Sequence, residues 1–163
     1  MSPYQIRSCK KDDAATVARH RVEMFRDMGD VPTEALAQEL LEKSTLALAA
    51  TLADGTYVGW FAVNEAGKVI AGAGAQIKPQ LPRMSHDRKR IESSPVPLVV
   101  NVYTEPEFRG LGIARALMRT IMEWAKAEGA DRIVLHASDA GRPLYSSLGF
   151  HPTNEMRWFT PSP

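Results

Sequence analysis

The residues best suited to chemistry are Arg109, Gly110, Leu111 and Gly112, which stand directly ahead of an apolar pattern of helical spacing in EFRGLGIARALM. Glycine costs up to about 1 kcal/mol inside a helix, so two of them at a helix start need a reason. The first N–H groups of a helix have no partner within it and carry partial positive charge. With no Cβ at positions 110 and 112, a phosphate can settle against the N–H groups of residues 110–115. Arg109 adds a guanidinium that can reach a phosphate oxygen. The alternative is a pair of turn glycines that only permit close packing. Two other phosphate sites fail on the residues. A Gly-x-x-x-x-Gly-Lys-Ser/Thr loop finds no Lys-Ser/Thr here, and a Gly-x-Gly-x-x-Gly dinucleotide turn needs glycine where Arg115 stands.

The elements around this turn read as follows. Residues 4–9, YQIRSC, form a short strand, and Asp12 is the N-cap of a helix that Gly29 stops. A second helix opens at Pro32-Thr33 and ends at Asp54-Gly55. TYVGWFAVN (56–64) and KVIAGAGAQI (68–77) are rich in β-branched and aromatic residues and pair as a hairpin. The polar stretch 82–95 is long enough for a functional loop or lid. VPLVVNVYT (96–104) is apolar enough for a strand buried on both faces. The glycine turn follows it, then a helix with Ile113, Leu117, Ile121 and Trp124 on one face and Gly129 at its end. A buried strand at 131–138, a short helix around AGRPLYSSLG and a last strand near 155–159 complete the chain. Strand, glycine turn, helix and strand make two parallel neighbours joined by a right-handed crossover. The hairpin is antiparallel, so the sheet is mixed and the class is α/β.

A chain of 163 residues builds one domain with a real core. A net charge of +1, with acids and bases mixed, argues against a nucleic-acid partner bound through a basic face. The most apolar window, LALAATLA, is far short of the roughly 20 residues that span a bilayer, so no membrane partner is expected. The single cysteine, Cys9, cannot form an internal disulfide and offers no cysteine metal site. With no signal-peptide core at the start of the sequence, a cytoplasmic setting is expected.

Arg109-Gly110-Leu111-Gly112-Ile113-Ala114 resembles the Arg/Gln-x-x-Gly-x-Gly/Ala signature of the GNAT acetyltransferase superfamily, including the strand before it and the helix after it. PLYSSLGF (143–150) resembles the family's Leu-Tyr-x-x-x-Gly-Phe segment, and the order of elements agrees over nearly the whole chain. The resemblance implies one domain over residues 1–163, with a mixed, mostly antiparallel twisted sheet. A parallel central strand pair splays around coenzyme A, and helices cover both faces. It implies transfer of an acetyl group from acetyl-CoA to an amine by direct attack in a ternary complex.

Carried over residue by residue, the backbone of Val102, Tyr103 and Thr104 aligns with the pantetheine arm like an added strand. Arg109, Gly110, Leu111, Gly112, Ile113, Ala114 and Arg115 hold the diphosphate. The N–H of Val102 or Tyr103 polarises the thioester oxygen. Tyr145 matches the general acid that protonates the CoA thiolate. Ser138 stands where many members carry an asparagine on the CoA arm, and it is the one departure from the pattern. A lysine-like amine must also lose its proton, at a cost of about 4.6 kcal/mol at pH 7, and no residue declares itself as the base. Asn101, polar in an apolar strand, either holds the acceptor or a water, or makes a structural hydrogen bond. Glu23 and Asp27 read as a solvated acidic face, His86 and Asp87 as loop residues, and His136 as a core histidine. No metal is expected, a homodimer is in keeping with the family, and the acceptor, a small amine or a peptide N-terminus, is not legible. A non-catalytic acyl-CoA-binding module is the competing function, since it keeps the glycine turn but has no need of Tyr145.

Overall fold

The computed structural model describes residues 3–161. Strand β1 (Tyr4–Ser8) leads into helices α1 (Ala14–Asp27) and α2 (Glu34–Asp54), followed by strands β2 (Tyr57–Asn64) and β3 (Val69–Lys78). Two short strands, β4 (Arg83–Met84) and β5 (Ile91–Glu92), precede β6 (Val96–Thr104). Helix α3 (Ile113–Ala127), strand β7 (Val134–Leu135) and helix α4 (Arg142–Ser147) complete the order. The main sheet runs β1-β2-β3-β6-β7 and is antiparallel except for the parallel β6–β7 pair. The mixed α/β architecture matches the expectation.

Local chemistry sets the helix ends. The Thr33 hydroxyl accepts the Leu36 N–H at 3.2 Å, and Gly55 closes α2 at φ +79°. Ahead of α1 the capping carboxylate belongs to Asp13 rather than Asp12. It accepts the Lys10 N–H at 2.7 Å and holds Arg7, also at 2.7 Å. Helix α3 buries Ile113, Leu117, Met118, Ile121 and Ala125 on one stripe against the sheet. Each large apolar side chain on that stripe contributes about 1.5–3 kcal/mol. Helices α1 and α2 cover the other face, where Val17, Ala18, Leu48, Tyr57 and Phe61 meet.

Strand β3 carries glycine at 72 and 74 because that second face is crowded. A Cβ at Gly74 would lie 2.1 Å from the Tyr57 hydroxyl, and one at Gly72 would lie 2.9 Å from His20 Nδ1. His20 itself is 1% exposed, and neither ring nitrogen has a hydrogen-bond partner among the described residues. Burial lowers its pKa to about 4.

Three expectations are corrected. The 131–138 strand pairs only over Val134–Leu135 and is half-buried, because its first residues are drawn to the 82–95 segment. Asp131 takes Arg90 at 2.6 Å, the Ser94 hydroxyl at 2.8 Å and the Ser93 and Ser94 N–H groups at 3.1 Å. Arg132 reaches Glu92 at 2.6 Å and Gln80 at 2.5 Å. The 82–95 segment is therefore no free loop but a β4–β5 hairpin pinned at its base. The strand expected near 155–159 is absent from the described residues. Glu155 pairs with His136 and Arg157, while Met156, Trp158 and Phe159 are exposed. Among the described residues β7 is the last strand of the sheet, and it pairs in parallel with β6.

Candidate active site

Strand β6 breaks its own alternation at Asn101. Val99 and Val102 pack toward α3, whereas Val100 and then Asn101 both face α1 and α2. The register shows why. Gly74 opposes Val100 and Gly72 opposes Tyr103, so β6 carries one residue more than β3 over this span. Asn101 takes up the extra residue at φ +60°, a left-handed conformation that asparagine tolerates better than most side chains. Parallel pairing with β7 stops at Val99–Leu135. The edge of β6 from Val100 to Thr104 therefore has no strand beside it among the described residues, and main-chain groups along it, the Thr104 carbonyl excepted, can meet an extended ligand.

Beyond Thr104 the Glu105 N–H bonds the Ile70 carbonyl at 2.9 Å, and a single turn over Pro106–Phe108 delivers the glycines. Gly110 and Gly112 sit at φ +78° and +77°, with nothing within 4 Å of a Cβ at either. Glycine is required there by backbone conformation, and the close-packing alternative falls away. The first bond inside α3 joins the Ala116 N–H to the Gly112 carbonyl at 3.1 Å. Among the described residues no acceptor takes the N–H groups of residues 110–115.

Arg109 does not face this loop. Its Nη2 lies 2.5 Å from Asp27 and its Nε donates to the Thr104 carbonyl at 2.9 Å, which braces β6 against α1. Arg115, half-exposed on the first turn of α3, has no carboxylate partner among the described residues. It is the cation free to meet an anion at that turn.

Tyr145 packs on the α3 core with its ring centroid 6.1 Å from that of Phe150. A Cβ at Gly141 would come 2.8 Å from its ring, so the glycine seats the tyrosine. Its hydroxyl has no protein partner among the described residues, and burial raises its pKa above the ordinary tyrosine value. The ring lines a cleft of about 1550 Å³ together with β7 and residues 149–155. Ser138 is exposed, and its hydroxyl accepts the Gly141 N–H at 3.2 Å while its carbonyl takes the Arg142 N–H at 3.0 Å. The first of these bonds uses one lone pair of the hydroxyl and leaves its O–H to donate.

Asn101 makes hydrogen bonds within the protein. Buried to 4% exposure, it accepts from Arg21 Nη1 at 2.8 Å and donates to the Tyr57 hydroxyl at 3.4 Å. Arg21 escaped the sequence reading, since one arginine on a polar helix face carries no signal of its own. Asp27 and Glu23 are held by Arg109 and Arg26. His86 is exposed, with its ring 6.3 Å from that of His151. His136 is not a core residue. It is exposed and bonded to Glu155 at 2.8 Å, because the strand that would have buried it is so short.

A family model described as "Acetyltransferase (GNAT) family" matches residues 21–150. The chain is 28% identical to aminoglycoside N(6')-acetyltransferase type 1 of Stenotrophomonas maltophilia, covering 94% of this chain and 90% of the relative. A GCN5-related N-acetyltransferase from Ralstonia eutropha JMP134 superposes with a TM-score of 0.84 at 32% identity, covering 96% of this chain and 98% of that one. A Clostridium acetobutylicum protein described as a predicted acetyltransferase, solved with acetyl-CoA, gives a TM-score of 0.79 at 27% identity over 96% of each chain.

Proposed function

This chain belongs to the acetyltransferase (GNAT) family, and on that premise we propose that it moves the acetyl group of acetyl-CoA onto a primary amine by direct attack in a ternary complex. The observation that carries the proposal is the run of unclaimed N–H groups at residues 110–115, beside the open edge of β6. The fit to coenzyme A is physical. Two left-handed glycines keep side chains out of the loop, and Arg115 adds a free positive charge. The acetyl-CoA held by the Clostridium acetobutylicum neighbour supports the same donor here.

In this reading Gly110, Leu111, Gly112, Ile113, Ala114 and Arg115 receive the diphosphate. The main chain of Val102, Tyr103 and Thr104 pairs with the pantetheine arm, and an N–H at Val102 or Tyr103 stabilises the oxyanion that forms as the amine attacks. Tyr145 gives its proton to the departing sulfur. Its raised pKa keeps that proton in place at neutral pH, and its hydroxyl is not engaged by the protein. Arg109 and Asn101 act as positioning residues, and Ser138 keeps an O–H that can donate to the CoA arm. The amine loses its proton to water. The lone thiol supports direct transfer over an acetyl-cysteine route. Burial pushes Cys9 up to about 12, so almost none of it is thiolate at neutral pH.

The test is thiol release from acetyl-CoA over an amine panel, with wild type and Tyr145→Phe. Amine-dependent release that collapses in the variant supports the proposal. Release in neither, with coenzyme A still bound, overturns it in favour of a binding module.

A further inference from the structure

Helix α1 carries three arginines, and two of them are matched to acids. Arg19 holds Glu105 at 2.5 Å and Arg26 holds Glu34 at 2.8 Å. Arg21 holds an amide oxygen instead, that of Asn101 at 2.8 Å. A guanidinium has five N–H donors, and among the described residues Asn101 is the side chain that takes one from Arg21. Among the described residues no carboxylate pairs with Arg21, and the acids on or paired to α1 are matched elsewhere. Glu105 belongs to Arg19, Asp27 to Arg109, and Glu23 and Glu34 to Arg26.

The group is also half-buried, with its guanidinium carbon 4.9 Å from the centroid of the Phe25 ring. A partly desolvated cation without a counter-charge is costly. Burial lowers its pKa, and no carboxylate offsets the effect. Asn101 keeps Arg21 at the bulge, one residue beyond the point where β6 parts from its neighbour at Val99 and Val100. That is where the acceptor nitrogen must arrive if the thioester lies along the open edge of β6.

We propose that Arg21 binds an anionic group on the acceptor, so that the amine this protein acetylates also carries a carboxylate or a phosphate. The inference rests on the acetyl-transfer reading above and specifies its substrate class. The planar fork of Arg21 meets two oxygens of the anion while Asn101 fixes its orientation. The substrate then enters with its acidic end against α1 and its amine toward β6. Polycationic amines are disfavoured by the same charge.

The test uses matched pairs with acetyl-CoA: β-alanine against β-alaninamide, O-phosphoethanolamine against ethanolamine, and spermidine as the polycation. The expected result is a kcat/KM at least about twentyfold higher for the acidic member of one pair, and the pair that shows it identifies the anion. Arg21→Gln brings that ratio to near unity, and Arg21→Lys, which keeps charge but loses the fork, lowers it in part. A thermal melt checks that each variant is folded, and the wild-type ratio stands without either. Equal rates within both pairs, a preference for spermidine, or an unchanged ratio in Arg21→Gln overturns the inference while leaving acetyl transfer intact. If no amine is turned over, calorimetric titration of β-alanine and O-phosphoethanolamine into the CoA-loaded protein decides. Binding lost in Arg21→Gln upholds the anion site while the transfer reading fails, and no binding of either overturns the site as well.

Discussion

The guanidinium of Arg109 stands 2.5 Å from the carboxylate of Asp27, so the arginine beside the glycine turn is already neutralised by the protein. The charge left over at the turn belongs to Arg115. Arg115→Ala is expected to weaken acetyl-CoA binding about tenfold, close to 1.4 kcal/mol. Arg109→Ala, which loses a brace, costs no more than about threefold. Calorimetric titration of both variants checks the order, and the reverse order would return the phosphate contact to Arg109.

Tyr145→Phe keeps the ring in its seat against Gly141 and removes only the proton donor. We expect kcat to fall by about 10²–10³, with acetyl-CoA affinity unchanged. Burial raises the pKa of this phenol, so its acid form persists into strongly alkaline solution. Loss of the Tyr145 proton therefore adds no alkaline fall in wild-type kcat below about pH 10. Thiol release followed against pH reads both effects, and an undiminished kcat in the variant removes Tyr145 from the chemistry.

Gly112→Ala places a Cβ on a left-handed residue, a strain of roughly 1–2 kcal/mol, where the protein itself leaves open space. Gly55→Ala suffers similar strain at φ +79° at the end of α2, also with nothing within 4 Å. Both variants should melt earlier than wild type, by a similar margin. Only Gly112→Ala should lose acetyl-CoA affinity, by tenfold or more. Equal affinities in the two variants would show that the loop holds no ligand.

His20 is neutral in the folded protein, with a pKa near 4, against 6.5 for a free histidine. The unfolded chain binds its proton first on acidification. The stabilisation is complete above pH 6.5 and is lost as the pH falls from there toward 4, amounting to about 3 kcal/mol. Urea melts between pH 7.5 and 4 should show this slope, and His20→Leu should flatten it. An equal slope in that variant would assign the acid sensitivity elsewhere.

What the sequence made legible was what local rules govern. The glycine turn, both early helices and the hairpin follow from spacing, caps and turn residues. Asn101 stood out as an amide among valines, yet its left-handed backbone is set by register against β3 and has no local signature. Segments 131–138 and 155–159 looked like strands because their composition is apolar and β-branched or aromatic. Their fate was settled at a distance, by Asp131 and Arg132 reaching the β4–β5 hairpin and by Glu155 engaging His136. Ion pairs between residues some 20 to 40 apart in sequence are invisible to any short window. For the same reason the pairing of Arg109 with Asp27, far away in sequence, has no local signature.

The surplus residue in β6 also dictates where this catalyst can be redesigned. Replacing Asn101 disturbs the strand, the Tyr57 phenol and the Arg21 guanidinium together. Arg21 hangs from a helix whose main-chain bonds are indifferent to its side chain. A library seeking new acceptors therefore belongs at position 21 and its neighbours Met24 and Phe25, with position 101 left untouched.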